Sequence, residues 1–369
     1  MKHGIVYRDT KSFFRYQGWP TVCVDESGVL YAAASGHRVG HICPFGKNLM
    51  YVSRDGGETW SAPRIINDTP LDDRDAGLTW LGNGKLMLSW FVREREFYWK
   101  MEDYLLETKG DHRLANATAP LMRGMLESWK ELSEEDAKIG SFVRLSHDCG
   151  EIWDEAVKVP LTAPHGPIRL KNGKLVYLGR YFDGRDCTNE NTIAACGSDD
   201  DGKTWQMLGD VPTPDGIGRQ TFHEPHVVEL PSGRLLGAIR AQGQGVDFGF
   251  TVYLCTSDDG GKTWTMPKPT GICGSPPHLM LHSSGAVILT YACRSRDVGY
   301  GQKCKLIYDG GETWSEEYLL AEAKDGDQGY PSTVELPDGS LITVYYQKFE
   351  DDRECSVLYT KWTLDELKN

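Results

Sequence analysis

The sequence predicts an all-β chain folded as a six-bladed β-propeller with a helical insertion, and two interleaved repeats together with one long interruption carry that expectation. The first repeat is a turn. Residues 53–60, 146–153, 198–205, 257–264 and 307–314 follow the pattern Ser-x-Asp-x-Gly-x-Thr-Trp, with Ile152 and Ile307 as departures. In a hairpin, short Ser and Asp side chains bond nearby backbone amides, Gly supplies the positive φ, and Trp packs beneath the turn. The second repeat is a strand, a glycine turn and another strand. It occurs at 19–34 around Gly28, 75–90 around Gly84, 164–179 around Gly173, 224–239 around Gly233, 276–291 around Gly285 and 330–345 around Gly339. One hairpin of each kind makes about four strands, the content of one blade.

The sixth unit lacks the turn motif, so residues 354–362 are expected to supply an outer strand there, with residues 4–7 helping to close the ring. Gly84 and Gly173 are 89 residues apart and leave room for an insertion. Residues 101–137, rich in Leu, Glu, Met and Lys, read as one or two helices, the second from about 119 to 137. Residues 1–369 are then one propeller domain.

Composition narrows the function classes. A formal net charge of -13 argues against nucleic acid or an anionic membrane as partner. Residues 1–8 contain no apolar run and no long apolar stretch follows, so the expectation is a cytoplasmic chain without a signal peptide. The 10 cysteines are scattered singly without a C-x-x-C pair, which reads as reduced core residues rather than disulfides or a metal site. Asp199, Asp200 and Asp201 imitate a calcium loop, but Lys203 falls on its third ligand position and the segment is one of the repeated turns. No metal and no cofactor are expected.

Comparing the repeats position by position locates the chemistry. Nine residues before the turn glycines stand Trp19, Asp75, Pro164, Glu224, Pro276 and Tyr330, equivalent positions that converge on one axial mouth. Two carboxylates and a phenol there require partners. Arg38, Arg93, Arg180, Arg240 and Arg294 recur after the same glycines, and a guanidinium fork matches a carboxylate, so an anionic ligand is implied. His165, His223, His226 and His278 fall near the starts of inner strands.

The five turns are Asp boxes. Together with residues 223–235, His-Glu-Pro-His-Val-Val-Glu-Leu-Pro-Ser-Gly-Arg-Leu, then Arg240, and with 329–339, Gly-Tyr-Pro-Ser-Thr-Val-Glu-Leu-Pro-Asp-Gly, they give a chain that resembles the sialidase (neuraminidase) superfamily over nearly its whole length. The resemblance implies Tyr330 as nucleophile, Glu224 as its partner, Arg240 and Arg294 as two members of an arginine triad that holds a sugar carboxylate, Arg38 beside the sugar, and Asp75 as the second-blade aspartate. A neutral phenol approaches a carboxylate-bearing anomeric carbon with less repulsion than a carboxylate would, and Glu can take its proton.

Two departures mark the site as remodelled. Gly18-Trp19-Pro20 stands where the family carries Arg-Ile-Pro, so one triad arginine is missing, with Arg15 and Arg180 as candidates to replace it. Residues 39–44 hold no carboxylate where the family's acid/base Asp belongs, which leaves His41 and Asp75 as candidate acids. Trp19 and His223 complete the expected ligand contacts. The reading is a retaining exo-glycosidase acting on a terminal acidic sugar, sialic or a related ulosonic or uronic acid. Its alternatives are a non-catalytic glycan-binding propeller and a polysaccharide lyase using Tyr and His on uronates.

Overall fold

The computed structural model describes residues 1–106, 112–185 and 193–367. Among these residues the strands form six antiparallel sheets of four or five strands, the blades of a six-bladed propeller. Blade one is built from Tyr16–Val24, Leu30–Arg38, Lys47–Ser53 and Arg64–Asn67, innermost strand first. Blade two runs Arg74–Gly82, Lys85–Val92, Gly140–Ser146 and Val157–Val159. The inner strands of blades four, five and six are Phe222–Glu229, His278–Leu281 and Gly329–Glu335. In blade six Cys355–Trp362 is the third strand and Lys2–Tyr7 pairs along its outer edge, so the two ends of the chain share one sheet.

Local chemistry explains the turns. All six inner-hairpin glycines, from Gly28 to Gly339, have φ between 78° and 90°, a region a side chain disfavours. In the first Asp box Ser53 Oγ accepts from Gly57 N at 2.9 Å and donates to Asp55 Oδ1 at 2.8 Å, while Asp55 accepts from Thr59 N at 2.9 Å. Boxes at Ser146, Ser198 and Ser257 repeat this pattern. Ile307 in place of Ser has no hydroxyl for these bonds, and the turn keeps Thr313 Oγ1 donating to Asp309 at 3.0 Å and Trp314 Nε1 donating to Gly311 O at 3.1 Å. Each box joins the third strand of its blade to outer chain, on the periphery of the ring. The apolar core lies between blades: Leu30 and Ala32 of blade one pack with Ile342 and Val344 of blade six.

The insertion is helical, with boundaries that correct the sequence reading. Its helices are Arg95–Lys100, Glu102–Leu106 and His112–Ser128, so it starts earlier and its long helix ends earlier than expected. Pro120 lies inside that helix rather than at its start. Residues 133–137 form a separate turn closed by Ser133, whose Oγ accepts from Asp136 N at 3.1 Å; a Ser that caps a turn competes with helix continuation. The insertion docks on blade two through buried Tyr98 and Trp129, rings edge-to-face at 5.2 Å, with Trp129 Nε1 donating to Pro70 O at 2.9 Å.

One backbone device recurs at the axis. In blades one, two, four and six the inner strand carries an extra residue, with register shifts at Gly18/Thr21, Arg74/Gly77, His223/His226 and Gly329/Ser332. Within these bulges Trp19, Asp75, Glu224 and Tyr330 take φ of 52°, 56°, 41° and 52°. A left-handed non-glycine residue costs about 1–3 kcal/mol and a bulge re-aims its side chain. Beneath this ring His226 and His278 stack at 4.4 Å and His165 meets His278 edge-on at 4.9 Å.

Candidate active site

The re-aimed side chains line a cavity of about 370 Å³. On its floor Tyr330 Oη donates to Glu224 Oε1 at 2.6 Å. Arg240 pairs with the other Glu224 oxygen and donates to Tyr330 Oη at 3.3 Å. Burial alone would push the Glu224 carboxyl up, but the Arg240 guanidinium and the Tyr330 hydrogen bond hold it below its ordinary value. Burial, reinforced by the Glu224 charge, drives the Tyr330 phenol well up. The resting pair is therefore a phenol against a carboxylate, poised for proton transfer from oxygen to oxygen.

Asp75 also lines the cavity, 7% exposed, and burial followed by the nearby Glu224 charge pushes its carboxyl up to about 7. On another wall His41 stands edge-on to Trp19 at 4.9 Å. Its Nδ1 lies 2.9 Å from Tyr16 Oη and 3.2 Å from Asp327 Oδ1, and Tyr16 Oη donates to the same carboxylate oxygen at 2.9 Å. With Nδ1 so held, Nε2 is the ring nitrogen available to a ligand. Burial lowers the His41 pKa, opposed by Asp327 and assisted by the positive charges of Arg74 and Arg294. Asp327 is pushed up by burial yet ends below its ordinary value because His41 and Tyr16 hydrogen-bond to it.

Six arginines line the cavity, Arg74, Arg93, Arg180, Arg185, Arg240 and Arg294, against two carboxylates, Asp75 and Glu224. In a chain of net charge -13 this local excess of cations is a site property, not an average one. Arg294 is aimed by Nε donating to Gln328 O at 2.8 Å and lies 5.6 Å over the Tyr330 ring. Arg74 rests on the Trp19 ring at 4.6 Å. His223 lines the same space, with Nδ1 2.7 Å from Arg180 Nη1, and burial plus that guanidinium lower its pKa to about 4.

Arg38 requires a correction. Expected beside the sugar, it is fully buried under Trp19 and does not reach the cavity. Asp72 captures its guanidinium through two bonds, of 2.5 and 3.0 Å, and also accepts from Tyr98 Oη at 2.5 Å. Arg38 thus ties blade one to the insertion. Arg15 pairs with Arg38 through a backbone bridge and is not among the lining residues, whereas Arg180 is. Sequence reasoning passed over Arg74 and Asp327. The available signal was position: Arg74 immediately precedes Asp75, and Asp327 lies three residues before Tyr330.

A model of the BNR/Asp-box repeat matches residues 51–62. Over 223 residues, 55% of this chain, the sequence is 26% identical to a sialidase of Bacteroides fragilis and spans 38% of that relative's length. A crystal structure of a protein of unknown function from Dyadobacter fermentans is similar with a TM-score of 0.75 and 20% identity, covering 98% of this chain and 97% of that one. The NanB sialidase of Streptococcus pneumoniae gives 0.67 at 13% identity, over 99% and 71% of the two chains. An α-L-arabinofuranosidase of Fusarium graminearum gives 0.64 at 12% identity, over 100% and 99%. At such identities these structures share the fold. The sequence is thus similar to the Asp-box repeat and, over part of its length, to a sialidase, and the solved structures share its fold.

Proposed function

We propose that this chain is a retaining exo-glycosidase that releases a terminal acidic sugar, sialic acid or a related ulosonic or uronic acid. The Tyr330–Glu224 pair inside an arginine-lined cavity carries the reading. Tyr330 Oη attacks the anomeric carbon while Glu224 takes the phenolic proton, and Arg240, touching both, offsets the charge that shifts between them. Arg294 and Arg240 hold the sugar carboxylate, and Arg74 on Trp19 takes the part of the missing triad arginine.

His41 delivers the proton to the departing glycosidic oxygen through Nε2, with Asp327 stabilising the imidazolium that precedes transfer. In the second half-reaction neutral His41 takes a proton from water, water oxygen bonds to the anomeric carbon, the bond to Tyr330 breaks, and Glu224 returns the proton to the phenolate. Two displacements give net retention. A second assignment of the acid has its own support: Asp75, pushed up to about 7, holds a proton near neutral pH.

Hydrolysis of a fluorogenic sialoside, followed by mass spectrometry after treatment with a difluorinated sialic acid that slows release, tests the reading. The expected result is turnover and a sugar adduct on the peptide bearing Tyr330. Turnover without an adduct at Tyr330 removes the nucleophile assignment; absence of turnover on any acidic glycoside favours a glycan-binding propeller.

A further inference from the structure

The cationic groups of the cavity divide into two sets. Arg240 and Arg294 lie over one ring, Phe250, at 5.0 and 5.7 Å, next to Tyr330. With Arg74 on the Trp19 ring, this set holds one carboxylate at the reacting sugar. The other set belongs to a wall where blades two and three meet the insertion. Glu94 N donates to Gly184 O at 3.0 Å, fastening the start of the insertion to the loop after Leu175–Tyr181 of blade three. Phe91 and Phe182 close the seam edge-to-face at 5.2 Å. Arg93 stacks on Phe97 at 4.1 Å, Arg180 is steadied by His223, and Arg185 stands exposed at the lip.

Three aromatic rings and three guanidinium groups on one wall, with the Glu94 carboxylate 3.8 Å from Arg93 behind them, form a surface with apolar faces and net positive charge. Arg93, held against the Phe97 ring, and Arg180, bonded to His223, are pre-oriented and lose little freedom on meeting an anion. None of the six residues is used by the chemistry assigned to Tyr330, Glu224 and His41. A terminal sugar with a single carboxylate leaves this wall without a function.

Resting on the function proposed above, we infer that this wall is a subsite for the group on the leaving side of the scissile bond, and that it selects a second anionic sugar, one bearing a carboxylate or a sulfate. The preferred substrate is a doubly acidic glycan. Ring faces of the second sugar lie against Phe97 and Phe182, and its anionic substituent meets Arg93, Arg180 and Arg185.

The test compares kcat/KM for three substrates: a disialoside, a sialoside on sulfated galactose, and a sialoside on unmodified galactose. Expected is at least about a tenfold preference for a doubly charged substrate at low salt, shrinking as salt screens the exposed lip. Whichever charged substrate leads identifies the anion. Arg185→Gln, at an exposed position, narrows the preference, and Arg93→Gln with Arg185→Gln brings it close to unity. A wild-type preference below twofold, or variants that slow all three substrates by one factor, overturns the subsite. Calorimetric binding of the same glycans to Tyr330→Phe separates the two readings. Tighter binding of a doubly charged glycan by a protein that hydrolyses none of them sinks the hydrolase and keeps the subsite; equal binding of all three by a protein that does hydrolyse them sinks the subsite alone.

Discussion

Tyr330 and Glu224, 106 positions apart in the chain, meet at 2.6 Å on the propeller axis. Each occupies the extra position of a bulge in the inner strand of its blade. The contact is thus an outcome of ring closure: blade six must sit at its correct angle to blade four before phenol and carboxylate can touch.

Tyr330→Phe is expected to abolish measurable turnover, and Glu224→Gln to lower kcat by roughly 10²–10⁴, the scale of a lost proton acceptor. Glu224→Ala adds a structural cost, because half-buried Arg240 loses the carboxylate it pairs with; about 1–3 kcal/mol of stability, the scale of a polar group left without its partner, is the expected loss. Denaturant titration of both Glu224 variants checks the difference. Equal stability of the Ala and Gln forms would contradict it.

The acid reveals itself in the pH profile. If His41 donates the proton, kcat falls as pH rises through a value below 6.5, because burial lowers its pKa. With Asp75 as donor the descending limb lies at about 7. His41→Ala or Asp75→Asn in the true acid slows natural glycosides far more than aryl glycosides, whose leaving groups need little protonation. Equal losses on both substrate types for both variants would exclude either residue as the acid.

Acid should destabilise the fold from its axis outward. Burial drives the pKa of His165 and His278 well down, and that of His226 to about 3 from 6.5. Each is neutral in the fold and protonated in the unfolded chain over that window, so stability is intact above 6.5 and is lost as pH falls, by about 1.4 kcal/mol per unit for each. Asp73 and Asp75, both raised to about 7 from 3.8, act oppositely and gain stability on acidification across their own window. With His223, lowered to about 4, the histidines outnumber them and the net trend is downward. Urea unfolding between about pH 7 and pH 5 measures the slope; His226→Gln should flatten it.

Gly77→Ala is expected to cost about 1–3 kcal/mol, as overpacking does. A Cβ there would lie 2.6 Å from Gly166 N and 2.8 Å from the carbonyl carbon of His165, so blades two and three must part. Thermal unfolding compared with Gly216→Ser, where a Cβ meets nothing within 4 Å, provides the contrast, although φ of 79° strains that site too.

Much of this architecture was legible because it is local. An Asp box carries its own hydrogen bonds within eight residues, so five of them announce five blades, and the inner glycine turns supply the sixth. Position within the repeat also brought Tyr330, Glu224, Asp75, Arg240 and Arg294 to one cavity. The same logic misplaced Arg38, which stands 10 residues after Gly28 where Arg240 stands 7 after Gly233, and whose guanidinium is captured by Asp72 from the next inter-blade connection. Asp327 and Arg74 escaped notice for a related reason. Arg74 opens the inner strand of blade two and Asp327 lies just before that of blade six, places where side-chain direction depends on how the chain returns to the axis, which no periodicity encodes. The helix boundaries slipped at Pro120, whose usual place is a first turn.

The four bulges have a consequence for how such a cavity can change. Trp19, Asp75, Glu224 and Tyr330 share φ between 41° and 56° although an indole, two carboxylates and a phenol have nothing chemical in common. The backbone at these places is dictated by the blade, not by its occupant, so the ring behaves as a set of sockets into which different reagents can be plugged. Exchange at one socket rewrites the chemistry while the propeller is left standing, and a glycine there is tolerated better than alanine because it alone relaxes the left-handed turn. Divergence of activity among rings of this kind then proceeds one socket at a time.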